Sequence, residues 1–289
     1  MAHPIKKAYA DTAQGQIHYR YTTAAPSRRH PILFLHKSAS SSLSYEPLML
    51  LYAARGYACF APDMPGFGQS FDPDPDPPSI AWYVDIFLSV FAPHPAFHSA
   101  GDGSGCHVFG HHSGAAIGLE LAARHPAFVR SLTLQGPVIL PPADRAAMRA
   151  ALLDPFNAPA PDGSHLAKTW TYLVQHGGIS PARELDLLQR ELLDHARAWK
   201  GRLQIYGCVF GAHHDGPGLL AEGVRCPLLT LCARDDVLWA HFGRVEEARP
   251  GTAREEIAGA TFGPSRDPGG IAKFLTPFLD EAEGGRGTR

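Results

Sequence analysis

Cys106-His107-Val108-Phe109-Gly110-His111-His112-Ser113-Gly114 is a short apolar run that ends between two glycines four residues apart. It continues into 115–124, which has helical apolar spacing and is stopped by His125-Pro126. A strand that turns at once into a helix leaves one residue strained and exposed at the apex. Small residues two before and two after let the backbone make that turn. With His112 central the flanking pair is Gly110 and Gly114; with Ser113 central it is His111 and Ala115, and His111 is bulky. The frame therefore puts His112 at the apex, with Ser113 as the shifted alternative. In the favoured frame the Ser113 backbone N–H opens a helix, a position suited to an anion. Serine also starts helices well with no further duty.

Working outward, short apolar runs alternate with helical spacing. Residues 32–35, 57–61, 131–134, 227–232 and 254–257 read as strands, and 47–55, 80–91 and 270–281 as helices. Residues 72–78 alternate Asp and Pro and form a surface loop, and 283–289 read as a disordered tail. Short buried strands alternating with helices predict an α/β fold: a mostly parallel sheet covered on both faces. The stretch 137–223 breaks the rhythm. It is helix-rich and holds Trp170, Tyr172, Trp199, Tyr206 and Phe210. It is expected as a helical cap inserted over the C-terminal edge of the sheet, where ligands bind in open α/β sheets, leaving 1–136 and 224–289 as the core. Its aromatics either line a pocket or fasten the cap.

The chain of 289 residues is 45% hydrophobic and 19% charged, with a formal net charge of −2, the profile of a globular protein with no electrostatic case for nucleic acid or an anionic membrane. No apolar run approaches the ~20 residues of a membrane span. The N-terminal residues lack an apolar signal core, so a cytoplasmic location is expected. Five scattered cysteines suit reduced core thiols better than a disulfide framework.

Three segments in order resemble the α/β-hydrolase superfamily, in particular its capped epoxide-hydrolase and haloalkane-dehalogenase-like branch. They are Leu35-His36-Lys37, similar to the family's strand-end His-Gly oxyanion loop; Ala61-Pro62-Asp63-Met64-Pro65-Gly66-Phe67-Gly68-Gln69-Ser70, a near match to its "PDxPGFGxS" loop; and residues 107–126, similar to its nucleophile elbow. The resemblance implies that His36 orients the oxyanion loop and that the loop from Lys37 to Ser38 supplies a second oxyanion donor. Lys37 stands where the family often has glycine; it either brings a cation to a developing anion or is a solvated loop lysine. The resemblance also makes Asp236, with Asp235 as runner-up, the triad acid in Cys232-Ala233-Arg234-Asp235-Asp236. The bland reading of that segment is an Asx turn.

Two departures coincide. Histidine replaces the nucleophile at 112, and the family's histidine is missing from 259–264, where Thr261 or Phe262 takes its place; residues 242–289 hold no histidine. The usual relay cannot run from those positions. An imidazole at the apex suits a general base, general acid or nucleophile, with Asp236 orienting it. The expected function is ester- or lactone-type hydrolysis of a small, largely apolar organic substrate. The rivals are a cofactor-independent lyase, isomerase or cyclase of secondary metabolism, and a ligand-binding protein without catalysis. Substrate contacts are expected from His36, Lys37, Ser38, His111, Trp170 and His214, with His111 also packing under the loops. His165 is expected as a cap contact and His241 as a displaced base. His213-His214-Asp215 has no third ligand at zinc spacing, so no metal and no cofactor are expected. The partner is a small-molecule substrate, with no nucleic acid and no membrane; a homodimer is left open.

Overall fold

The computed structural model describes residues 4–22, 29–98 and 104–284. Eight strands form one sheet: β1 (Lys6–Asp11), β2 (Gln16–Thr22), β3 (Ile32–Leu35), β4 (Cys59–Pro62), β5 (Cys106–His111), β6 (Val129–Gln135), β7 (Leu228–Ala233) and β8 (Ala253–Ile257). Their order is β1-β2-β4-β3-β5-β6-β7-β8. From β4 to β8 every neighbouring pair is parallel, while β1 and β2 add an antiparallel edge. These two strands are absent from the sequence reading because neither forms an apolar run: β2 is largely buried but interleaves His18 and Arg20 with Ile17, Tyr19 and Tyr21. β1 carries exposed residues along its length, so it offers no apolar run to find.

Side-chain alternation along the central strands divides the core into two layers. Leu33, Leu35, Val108, Leu132 and Leu134 face α2 (Ile80–Phe91) and α3 (Ser113–Arg124). Ile32, Phe34, Phe109, Leu229 and Leu231 face α1 (Glu46–Ala53) and the C-terminal helix Pro268–Gly284. Strands buried on both faces need this continuous apolar character. The five cysteines are buried thiols.

The C-terminal helix runs through Glu283 and Gly284. This corrects the expected disorder at its start, because the Glu283 carboxylate is tied to His30 and His107; residues 285–289 lie outside the described residues. Between β6 and β7 the chain forms α4 (Pro142–Leu152), α5 (Ser164–Gln175), α6 (Leu185–Arg197) and α7 (Trp199–Val209). Among the described residues no helix is long and apolar enough to cross a membrane.

Because β3, β5, β6 and β7 are parallel, their C-terminal ends share one edge of the sheet. That edge brings together the loop after Leu35, the turn at His112, Gly136 and the turn at Asp236.

Candidate active site

His112 is the residue between β5 and α3, with φ 48° and ψ −109°. A non-glycine residue at positive φ holds strain of about 1–3 kcal/mol, which surrounding structure must maintain. The turn is fixed from both sides: the His112 N–H donates to the Gln135 carbonyl and its own carbonyl accepts from Ala116 N–H. A Cβ on Gly114 would collide with the Leu35 carbonyl, so the helix start can approach β3 this closely only as glycine. Gly136, at φ +55°, plays the same part under the imidazole, where a Cβ would collide with Cδ2 and Nε2 of His112.

The His112 ring is anchored at one nitrogen. Nε2 lies 2.8 Å from Asp236 Oδ2 and 3.1 Å from Oδ1. The Asp236 side chain is 1% exposed and that of His112 15%. Burial alone would raise the Asp236 carboxyl, but the neighbouring imidazole and the Leu238 N–H, 2.8 Å from Oδ1, outweigh it and hold the group below its ordinary value. An ionised carboxylate only accepts hydrogen bonds. Nε2 therefore carries the hydrogen, and the lone pair of the neutral ring is on Nδ1. In the Ser-His-Asp relay the acid holds Nδ1 and the base acts through Nε2; here the ring is used the other way round. Asp235 is exposed and borders the same cavity without touching His112.

The loop after β3 closes over this pair. His36 accepts the Met64 N–H on Nε2 (2.9 Å), so its Nδ1–H donates to the Lys37 carbonyl (2.8 Å). Burial lowers its pKa further, and the neutral ring ties two loops together away from the cavity lining. The Ser38 N–H, 2.7 Å from Ser113 Oγ, is already given to that hydroxyl. One donor of the expected oxyanion loop thus reaches the cavity only through Ser113.

Lys37 is neither solvated nor aimed at the elbow. Its residue is 6% exposed, its Nζ lies 3.1 Å from Glu191 Oε2 and 4.6 Å from the centre of the Phe262 ring. Phe262 is one of the two residues, with Thr261, expected from the sequence to stand where the resembled family keeps its histidine. Glu191 belongs to α6 and is fully buried. Burial pushes it up, but Lys37 and Arg190 pull it below its ordinary value. Asp194, one turn along, is pushed up to about 7 by burial and by Glu191, and accepts from Ser41 Oγ. His195 is lowered to about 4 by burial and by Lys37. Helix α6 therefore locks onto the loop after β3 through two residues, Glu191 on Lys37 and Ser40 and Asp194 on Ser41.

These elements enclose a cavity of about 1060 Å³. Lys37, Ser38, His112 and Ser113 line it, with Phe156, Tyr172, Tyr206 and Phe210 as its aromatic walls. His111 is buried beside His112, ring centres 4.5 Å apart, and does not reach the cavity. Its Nε2 has no hydrogen-bond partner. Burial first, then His112, drives its pKa well down. Trp170 and His214 lie outside the lining. Trp170 packs on Leu173, Ile179, Leu188 and Phe262, and His214 pairs with Glu120 at 3.1 Å beneath α3. His241 reaches the cavity, its Nδ1 3.6 Å from Asp144 Oδ2. His165 accepts the Ala160 N–H.

Two groups among the described residues bring histidine and carboxylate donor atoms within 4.8 Å of one another: His111, His112 and Asp236, and His30, His107 and Glu283. In both, the closest approaches are imidazole–carboxylate hydrogen bonds. Sequence reading missed Glu191, Arg202 and Phe156. All three belong to the helical stretch between β6 and β7, where no motif marks them and spacing does not reveal which polar face turns inward.

The comparisons with known proteins agree with this architecture. The chain is 34% identical over 108 residues to a haloalkane dehalogenase from Bradyrhizobium diazoefficiens, a match that spans 35% of this chain and 30% of that protein. Its fold superposes on an N-acyl homoserine lactonase solved with N-hexanoyl homoserine (TM-score 0.73, 21% identity, 96% of this chain and 98% of the other). It superposes equally on an enol-lactonase from Burkholderia xenovorans (TM-score 0.74, 17% identity, 95% and 100%). The alpha/beta hydrolase fold family matches residues 30–174, half of the chain. An eight-stranded, mostly parallel sheet flanked by helices, together with that match, makes this chain a member of the α/β-hydrolase fold family.

Proposed function

We propose that this protein is an enzyme of the hydrolase family that opens a small, largely apolar ester or lactone, with His112 as general base and Asp236 as the group that orients it. The observation that carries the reading is the His112–Asp236 contact at the strained turn, on the wall of a large cavity. In this reading residues 137–223 are the cap over that cavity, and Nδ1 is the working nitrogen. It is the ring position next to Cβ and more crowded than Nε2, which favours removal of a proton from water over a covalent acyl-imidazole. The Ser113 N–H at the start of α3 and the Ser113 hydroxyl, polarised by the Ser38 N–H, are the donors offered to the developing oxyanion. General-base catalysis of this kind contributes about 10²–10⁴-fold.

A second reading has one observation in its favour. Because Ser113 Oγ takes up the Ser38 N–H, the oxyanion site is built differently from that of an acyl-transfer enzyme, which suits a cofactor-independent lyase or isomerase that only moves a proton. A panel of chromogenic esters and lactones separates the two. In the hydrolytic reading at least one is turned over, His112→Ala abolishes it, and Ser113→Ala lowers it by no more than the about 10²–10³-fold that one oxyanion donor is worth. Loss in Ser113→Ala with turnover kept in His112→Ala would sink the base assignment and restore a serine nucleophile.

A further inference from the structure

The cavity wall contains a cation whose charge the protein does not balance. Arg202, on α7, is 2% exposed and lines the cavity. A guanidinium has five N–H donors, and among the described residues a single acceptor meets them: the Asp154 backbone carbonyl, 2.8 Å from Nη1. Asp154 offers its carbonyl and not its carboxylate, and no acidic side chain among the described residues lies within 4.0 Å of the guanidinium. None of its nitrogens is both sealed off and unpaired, so the unused N–H groups open on the cavity. The neighbouring cations contrast with it: Lys37 and Arg190 are both paired with Glu191.

Two rings flank the guanidinium, Phe156 at 4.5 Å and Tyr206 at 5.5 Å from ring centre. Cation–π contacts of this kind offset only part of the cost of taking an unpaired ion out of water. The remainder is what a bound anion would supply. The flat fork of an arginine, held between rings with its edge free, matches a planar oxyanion. One unbalanced positive charge matches one negative charge, which favours a carboxylate over a phosphate carrying about −1.5 to −2. The site is joined to the elbow through one ring: Tyr206 OH donates to the Ser38 carbonyl at 3.2 Å, and the Ser38 N–H holds Ser113.

We infer that the cavity receives a ligand carrying a carboxylate on a largely apolar body, and that Arg202 binds that carboxylate between Phe156 and Tyr206. This rests on the cavity being the substrate site and not on the role given to His112.

The test is calorimetric binding of 4-phenylbutyrate and its neutral isostere 4-phenylbutyramide to the full chain at pH 7. The carboxylate is expected to bind about tenfold tighter or more, as a charge-assisted pair requires. Arg202→Gln should erase the preference while leaving amide binding unchanged, and Arg202→Lys should keep part of it. His112→Ala should keep all of it, so failure of the catalytic reading and failure of this one are told apart. Equal affinity for the two probes, no binding of either, or a preference that survives Arg202→Gln would overturn the inference. If the Gln variant binds neither probe through misfolding, phenylglyoxal labelling of the wild type decides. The carboxylate should protect Arg202 and the amide should not; equal labelling of the Arg202 peptide with both overturns the inference.

Discussion

Strand β5 carries an imidazole–carboxylate pair at each end, and the two ends behave differently. At its start His107 is 1% exposed; its Nε2 lies 3.0 Å from Glu283 Oε1 and its Nδ1 2.8 Å from Ser131 Oγ. Glu283 also takes the His30 N–H and approaches His30 Nδ1. Both ring nitrogens of His107 are used, so the cluster clamps the C-terminal helix to the bottom of the sheet. Just past the other end, His112 uses only Nε2, and its ring borders a cavity. The chemical pair is the same. What distinguishes a clamp from a candidate base is a lone pair left over and a space for it to face.

That contrast can be broken most sharply by removing each carboxylate in turn. Asp236→Asn should lower turnover by about 10²–10⁴-fold, whereas Glu283→Gln should leave turnover within a few-fold. Equal losses of turnover would dissolve the distinction. Next in size, Gly136→Ala pushes on the His112 ring from below and should cost about 10²-fold in kcat, the scale of an ångström misplacement, with KM moved far less; an unchanged kcat would mean that ring position is not critical. At the opposite end, His107→Ala should cost about 1–3 kcal/mol of stability by leaving Glu283 and Ser131 short of partners, read from denaturant midpoints, with turnover kept.

The smallest effect is the acid response of the clamp. Burial lowers His107 below its ordinary 6.5 despite Glu283. Burial opposes ionisation of Glu283, but its bonds to His107 and His30 carry it well below its ordinary 4.5. In both cases the unfolded chain binds more protons than the native one as pH falls, so stability is lost on acidification, first below pH 6.5 and then below pH 4.5. In Glu283→Gln the second step should shrink while the whole curve drops, since Asp236 and Glu191 are also held below their ordinary values; curves running parallel from pH 7 to pH 3 would assign the acid response elsewhere.

The fold was legible wherever burial on both faces forces an apolar run. The helix expected over 80–91 is Ile80–Phe91, and the five strands read from the sequence are β3, β4, β6, β7 and β8, with β5 read from the elbow. β1 escaped because an exposed edge strand carries polar residues, and β2 because, though largely buried, it interleaves His18 and Arg20 with its apolar residues and so offers no apolar run. The turn at His112 and the acid at Asp236 were legible because each is local, a few residues with their own steric demands. Glu191 and Arg202 were not, since their importance arises from what the fold brings against them, Lys37 and Ser40 for Glu191 and Phe156 and Tyr206 for Arg202. Trp170 shows the opposite error: a large aromatic in a helical insertion suggested a pocket wall, and it packs on Leu188 and Phe262 instead.

Helices α4 and α6 both border the cavity but are held unequally. α6 is fixed by the Lys37–Glu191 pair, by Ser40 and Ser41, and by Arg197 on Asp72, Gly68 and Ser70. α4 gives Ala147, Met148, Ala151 and Leu152 to the lining yet has no buried side chain, and its polar ties come from its first turn, Asp144 to His241 and Arg145 to the carbonyls of Gly211 and His214. Farther along α4, Met148 and Leu152 pack on the core. The α6 side instead carries charge pairing into the loop over the elbow. One wall of the cavity is thus set by apolar packing and the other by buried charge, and the arrangement of His112, Ser113 and Ser38 is built against the second.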